Sequence, residues 1–257
     1  MRLSSLSRRV AVAMTAAALL ALPQACHQAC PPAPRLLILG DSTAAPLSRE
    51  PSGHFGWGEV LPALLNGVAV ENRALPGASA KSFLAEAWPG IHAGLRPGDV
   101  VLVQFGQNDP APDSRRHGEP YGAYREALAR FVEDIRRGGG LPVLLTPLAR
   151  YRFEDNRLQP VHGRYPDATR ALAADLRIPL IDLGAWSESE LAKLGPAGAR
   201  AWFLSEDGRM DGVHFGRTGA QAIALKIQAS LAQLAGTHAL VDRLLHPPSG
   251  AGATCAP

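Results

Sequence analysis

Five short apolar runs punctuate the chain, each bounded by polar or turn-forming residues. They are Arg35–Leu39, Val68–Val70, Val100–Phe105, Leu141–Leu145 and Leu180–Asp182. Near-continuous apolar runs of this length predict strands buried on both faces. Between and after them lie stretches with apolar residues at helical spacing: 58–65, 82–87, 121–137, 167–176 and 218–234. Such strands alternating with helices predict a parallel sheet covered on both sides, an α/β fold of three layers, α/β/α. Arg96-Pro-Gly-Asp99 marks the turn into the third strand, and Gly138-Gly-Gly140 ends the long helix before the fourth. Periodicity leaves the strand order open. In open sheets of this kind ligands bind beyond the carboxyl ends of the strands. The first and third runs lead directly into the polar clusters Gly40-Asp-Ser-Thr43 and Gly106-Gln-Asn-Asp109.

Before the first strand the pattern changes. Met1–Arg9 carries three arginines, Val10–Leu22 is apolar, and small residues follow near Ala25. A basic start, a short apolar stretch and small residues describe a secretory signal peptide, and the stretch is too short for a comfortable membrane span. The expected organisation is a signal peptide over 1–25, a proline-rich linker over 26–34, one domain with a well-buried core over 35–240, and a tail over 241–257. The destination is then the periplasm or the exterior. A lipid anchor on Cys26 is the alternative, although Pro23 and Gln24 make a poor lipidation signal. Cys26, Cys30 and Cys255 lie at the chain ends, where export permits a disulfide. Their pairing stays open.

Composition narrows the partners. Charged residues make up 19% and hydrophobic residues 46%, ordinary for a globular domain, and the net charge is only +3 without a dense basic run. Nucleic acid is therefore a poor partner. No Cys-x-x-Cys pair or His-Glu-x-x-His run suggests a metal site. Nothing in the pattern asks for more than a monomer.

Asp211-Gly-Val-His214 places a carboxylate three residues before an imidazole, a spacing that lets the acid orient a base. Ser42, in Leu39-Gly-Asp-Ser-Thr43, is set to stand at a strand-to-helix junction, where its own N–H can face developing negative charge. Each motif alone has an ordinary structural explanation: Asp-Gly and Pro-Gly make turns, and Ser-Thr caps helices. Their order is the stronger signal. Gly40-Asp-Ser-Thr43, Asn72-Arg-Ala-Leu-Pro-Gly77, Gly106-Gln-Asn108-Asp109 and Asp211-Gly-Val-His214 follow one another along the chain. This succession closely resembles the SGNH (GDSL-like) hydrolase superfamily from about Arg35 to Leu234. A Gly-x-Ser-x-Gly elbow, the mark of the ordinary α/β-hydrolase fold, is absent.

The resemblance implies a flavodoxin-like, five-stranded parallel sheet and a serine esterase. Ser42 would be the nucleophile, His214 the base and Asp211 its orienting acid, and with water hydrolysing the acetyl-enzyme no cofactor would be needed. The N–H groups of Ser42 and Gly77 and the Asn108 amide would form the oxyanion hole, with Asp41 and Asp109 as loop supports. Further segments resemble the rhamnogalacturonan acetylesterase branch: Phe55-Gly-Trp-Gly58, Phe105-Gly106, Thr146-Pro-Leu-Ala-Arg150, Tyr165-Pro-Asp-Ala-Thr169 and Asp211–Ala220. That branch usually has His where this chain has Gln107. The implied partner is an acetylated polysaccharide of the plant cell wall. A lipase, an arylesterase, an acetylxylan esterase or a silent carbohydrate-binding protein on the same fold stand as rivals.

Trp57, Gln107, Arg150 and Arg152 are candidate substrate contacts. Trp57 between two glycines reads as a sugar platform or as core packing. Arg150 and Arg152, with Arg115 and Arg116, lie in loops expected at the site edge, where guanidinium groups suit uronate carboxylates. His27, His54, His92, His117, His162, His238 and His246 have no motif support and read as surface or packing residues, with the loop of His162 nearest the expected cleft.

Overall fold

The computed structural model describes residues 34–48, 53–206 and 209–247. The segment read as a signal peptide and all three cysteines lie outside the described residues. The chain runs β1 (Arg35–Leu39), α1 (Trp57–Leu64), β2 (Ala69–Asn72), α2 (Ala80–Glu86), α3 (Trp88–His92), β3 (Val100–Gln104), α4 (Ala123–Arg137) and β4 (Leu141–Leu145). There follow β5 (Phe153–Glu154), β6 (Arg157–Leu158), α5 (Tyr165–Leu176), β7 (Leu180–Ile181), α6 (Leu183–Ala199), β8 (Phe203–Glu206), β9 (Arg209–Phe215), α7 (Arg217–Ala235) and α8 (Ala239–Leu245).

The five apolar runs form one parallel sheet in the order β2-β1-β3-β4-β7. Alternate residues of each strand face opposite layers. Leu36, Ile38, Val100, Leu102, Val143 and Leu145 pack with α1, α6, α7 and α8. Leu37, Leu39, Val101, Val103 and Leu144 pack with α2, α3, α4 and α5. The three layers expected from the pattern are thus present. Among the described residues no helix is long and apolar enough to cross a membrane.

Three elements depart from expectation. Ser42 is not followed directly by a helix: residues 41–45 make a tight turn, with Ala44 and Ala45 N–H donating to Asp41 O, and the first helix starts at Trp57. Asp211–His214 lies within the β8–β9 hairpin, where the register shifts. Helix α8 occupies the start of the segment read as a tail, and Val241 and Leu244 are buried, so the folded part continues past residue 240.

Candidate active site

Three loops at the carboxyl ends of β1, β2 and β3 are laced together by their own backbone. Leu75 N–H donates to Gly40 O at 2.9 Å, joining the loop after β2 to the loop after β1. Leu75–Ala78 forms a turn closed by Ala78 N–H to Leu75 O, with Pro76 and Gly77 at its centre and Gly77 at φ 75°. This is the arrangement of a type II turn. Asn108 Nδ2 donates to Ala78 O at 3.0 Å, leaving that amide's second hydrogen for another acceptor. Asp109 accepts from Ala80 N–H and from Gly106 N–H, each at 2.9 Å, and so ties the third loop to the start of α2. The sequence reading of Asp109 as a loop support agrees with these bonds.

The Ser42 loop is held from the other side by Phe55-Gly-Trp-Gly58. Trp57 N–H donates to Thr43 O at 3.0 Å, and the indole Nε1–H donates to Gln104 Oε1 at 2.7 Å. A Cβ on Gly56 would sit 2.1 Å from Ala45 O, so only glycine lets α1 approach the Ser42 turn this closely. Trp57 is 0% exposed. The sugar-platform reading is therefore corrected: the ring is core, and its one polar atom is satisfied inside the protein.

The β8–β9 hairpin delivers the remaining groups. Between paired residues Phe203–Phe215 and Ser205–Met210, β9 carries the longer segment, so Asp211–His214 bulges out of the ladder. Asp211 Oδ1 accepts from Val213 N–H at 2.8 Å and His214 N–H at 2.7 Å. Asp211 Oδ2 lies 2.9 Å from His214 Nδ1, and His214 Nε2 lies 2.9 Å from Ser42 Oγ. A carboxylate can only accept, so Nδ1 carries the proton. In a neutral ring Nε2 is then an acceptor, and Ser42 donates to it. Burial pushes Asp211 upward, but the hydrogen bonds from the His214 ring and from the two N–H groups outweigh it and hold the carboxyl below its usual range. The acid is thus anionic at neutral pH, and Ser42, His214 and Asp211 form one hydrogen-bonded chain.

Two further carboxyls, Asp41 and Asp109, are fully buried in the loops after β1 and β3. Burial raises Asp41 to about 6, against the lowering effect of the Thr43 N–H and hydroxyl bonds. Burial raises Asp109 to about 7, helped by the negative charge of Asp41.

The arginines are more committed than their sequence positions suggest. Gln107 is buried and donates through Nε2 to Leu148 O at 2.7 Å. Arg150 donates to Gln107 Oε1 at 2.9 Å and to Gln107 O at 2.7 Å, so the two candidates form one structural unit. Arg150 has no carboxylate partner among these bonds, and burial lowers its pKa while Asp41 and Asp211 raise it. Arg152 is exposed and paired with Glu154 at 2.9 Å. Arg115 pairs with Glu86 and Arg116 with Asp113. Of the four, Arg150 alone makes no direct ion pair among the described residues, and Asp41 and Asp211 offset its charge at longer range. His162 is buried, and its Nε2–H donates to Leu148 O at 2.8 Å. Burial drives its pKa down to about 4, which keeps the ring neutral.

Two features escaped the motifs. A cavity of about 210 Å³ opens beside the Gly77 turn, between Leu75–Ala78, α2 and Arg115–Arg116. His54 stacks on His214, with ring centroids 4.5 Å apart and planes at 27°. No local spacing signals that pairing, because the partners lie far apart in sequence.

With this geometry in view, residues 38–222 match the model of the GDSL-like lipase/acylhydrolase family. Rhamnogalacturonan acetylesterase RhgT of Bacillus subtilis (strain 168) is 34% identical over 212 residues, covering 78% of this chain and 90% of that protein. A probable rhamnogalacturonan acetylesterase of the same organism, YesY, is 30% identical over 202 residues, covering 77% and 93%. Among solved structures, Bacillus subtilis protein YXIM is 27% identical with a TM-score of 0.68, covering 77% of this chain, which spans only 56% of that one. Axe2, an acetylxylan esterase from Geobacillus stearothermophilus, shares the fold at 20% identity and a TM-score of 0.58, covering 77% of this chain and 92% of that one.

Proposed function

The chain belongs to the GDSL-like lipase/acylhydrolase family and is a serine carboxylic ester hydrolase of the carbohydrate-esterase kind, and from that premise we propose that it is an exported acetylesterase acting on acetylated rhamnogalacturonan through an acetyl-Ser42 intermediate. The observation that carries the mechanism is the unbroken chain Asp211–His214–Ser42. Identity to the two acetylesterases supports the polymer.

In the proposed reaction Ser42 Oγ attacks the acetyl carbonyl carbon while His214 Nε2 takes the hydroxyl proton. The carbonyl oxygen gains negative charge and is held by the N–H groups of Ser42 and Gly77 and by the Asn108 amide. One such donor is typically worth about 2.7–4 kcal/mol in the transition state. Collapse breaks the bond to the sugar oxygen, which leaves with the proton from His214. Water then attacks the acetyl-serine, gives its proton to His214, and acetate departs as the proton returns to Ser42. Asp211 stays ionised throughout and stabilises the imidazolium.

The test is acetate release from acetylated rhamnogalacturonan, acetylated xylan and a p-nitrophenyl ester series. The proposal expects the highest kcat/KM on rhamnogalacturonan and steep loss of rate with acyl length. Faster turnover of xylan would reassign the polymer, and preference for long acyl chains would make the protein a lipase. Sequencing the amino terminus of protein recovered outside the cytoplasm tests export.

A further inference from the structure

The mechanism gives His54 no role, yet the structure brings its imidazole to the face of His214. Backbone bonds on either side hold it there: Phe55 N–H donates to Phe215 O at 2.9 Å, next to His214, and Trp57 N–H reaches Thr43 O at 3.0 Å, next to Ser42. One potential ligand atom from each of His54, Asp211 and His214 lies within 4.8 Å of the other two. Asp211 and His214 keep 31% and 28% of their side chains exposed, so a hydrated ion can reach them.

Two imidazoles and a carboxylate, with a fourth position open to water, are a donor set that suits Zn²⁺ and its neighbours in the first transition row. In a tetrahedron with arms of about 2.1 Å the ligands stand about 3.4 Å apart. The two rings now stack with planes at 27°, so their in-plane lone pairs run side by side, and a shared ion requires the His54 ring to turn out of the stack until both nitrogens face one point.

We propose that His54, Asp211 and His214 form an inhibitory site for a divalent transition-metal cation. The ion needs a nitrogen of His214. Nδ1 now bonds Asp211 and Nε2 now bonds Ser42, so either choice removes a hydrogen bond that the triad needs. The ion's charge also opposes formation of the imidazolium. Occupancy therefore silences the esterase. The silencing rests on the serine-esterase reading, but the binding does not.

Zn²⁺ is the probe, with Mg²⁺ as control, since a hard oxygen-seeking ion gains little from two imidazoles. In a non-chelating buffer, Zn²⁺ is expected to inhibit p-nitrophenyl acetate turnover, with reversal by EDTA and no effect of equal Mg²⁺. His54→Ala and His54→Phe should each raise the half-inhibitory concentration at least about tenfold, each judged against its own metal-free rate. His54→Phe retains a ring against His214 and removes the ligand. Calorimetry of Zn²⁺ with the Ser42→Ala protein should give one site, weakened to the same degree by adding His54→Phe. Unchanged zinc sensitivity or unchanged binding in the His54 variants overturns the proposal. An active enzyme indifferent to millimolar Zn²⁺ also overturns it and leaves the esterase reading standing. Zinc binding that depends on His54 in a protein that hydrolyses no ester supports the site and removes the functional reading instead.

Discussion

His214 accepts a proton at Nε2 only while Nδ1 holds its own, and Asp211 enforces that choice. Its Oδ1 is already taken by the Val213 and His214 N–H groups, and only Oδ2 faces the ring. In Asp211→Asn the amide oxygen must stay on the two N–H donors, which turns the NH₂ toward Nδ1 and favours the wrong tautomer. We predict a fall in kcat of roughly 10⁴-fold with little change in KM, measured on p-nitrophenyl acetate; a fall of less than tenfold would show that Asp211 does not select the tautomer. Asp41 carries a different prediction. Burial raises it to about 6, so the stability it contributes is present below the unfolded value and lost as pH rises through the folded one. His162, lowered to about 4, acts in the opposite sense over part of that range, so the comparison must be with a variant. Asp41→Asn keeps an oxygen for the Thr43 N–H and hydroxyl and cannot ionise. Its unfolding free energy should gain on wild type between about pH 4 and about pH 7 in urea titrations; parallel pH profiles over that range would contradict the assignment. Ser42, Asp211 and His214 were legible because each sits in a short motif whose order is informative. Trp57 was ambiguous because an aromatic flanked by glycines fits a sugar platform or a tight helix approach, and only the Gly56–Ala45 distance decides. His54 was invisible because its partner comes from a distant hairpin.

At the scale of elements, the β8–β9 bulge sets His214 against Ser42. Gly212 sits there at φ 76°, its carbonyl accepts from Tyr151 N–H at 2.8 Å, and a Cβ on it would lie 3.2 Å from Tyr151 O. Gly212→Ala is expected to cost about 1–2 kcal/mol in stability and to lower kcat more than it raises KM, because Asp211 and His214 ride on the same bulge. Thermal unfolding beside steady-state kinetics checks this, and a less stable variant with wild-type kcat would reduce the glycine to a purely structural part. The five sheet strands were readable from their apolar runs, with ends displaced by a residue or two. Helix α6 was not: Gly184, Gly195-Pro196 and Gly198 mask its helical spacing, and Gly195 indeed breaks it with φ 64° and ψ 176°. The β5–β6 hairpin was missed although its turn carries a signal. Asp155 and Asn156 both take positive φ, the pattern of a type I′ turn that Asp and Asn tolerate.

Across the whole molecule, the alternation of strands and helices implies the layers, but strand order depends on which face each crossover covers, and no local pattern records that. The order β2-β1-β3-β4-β7 puts β1 and β3 side by side, which is why the Ser42 and Asn108 loops meet. At the opposite end of the same two strands buried Arg35 bonds buried Asp99 at 3.0 Å and also pairs with half-buried Glu71 of β2. With Arg115, Arg116 and Arg152 paired, the proposed function leaves Arg150 as the candidate for long-range attraction of an acidic polymer. Screening acts over about 10 Å at 0.1 M salt. Added salt should therefore lower kcat/KM on acetylated rhamnogalacturonan more than on neutral acetylated xylan, and Arg150→Gln should narrow the gap; equal salt dependence in the intact enzyme would remove the electrostatic argument for a uronate-bearing substrate.

The central claim is that Ser42 carries the acetyl group, and acetate release by Ser42→Ala tests it most directly. The hydroxyl is 2.9 Å from His214 Nε2 and belongs to a residue only 7% exposed, so its removal leaves the surrounding turn and its backbone bonds in place. The measurement is acetate released from acetylated rhamnogalacturonan by wild type and by a Ser42→Ala protein whose circular dichroism and unfolding midpoint match it. The account predicts turnover in the first and a rate at the uncatalysed background in the second. A folded Ser42→Ala protein that releases acetate at the wild-type rate would contradict it.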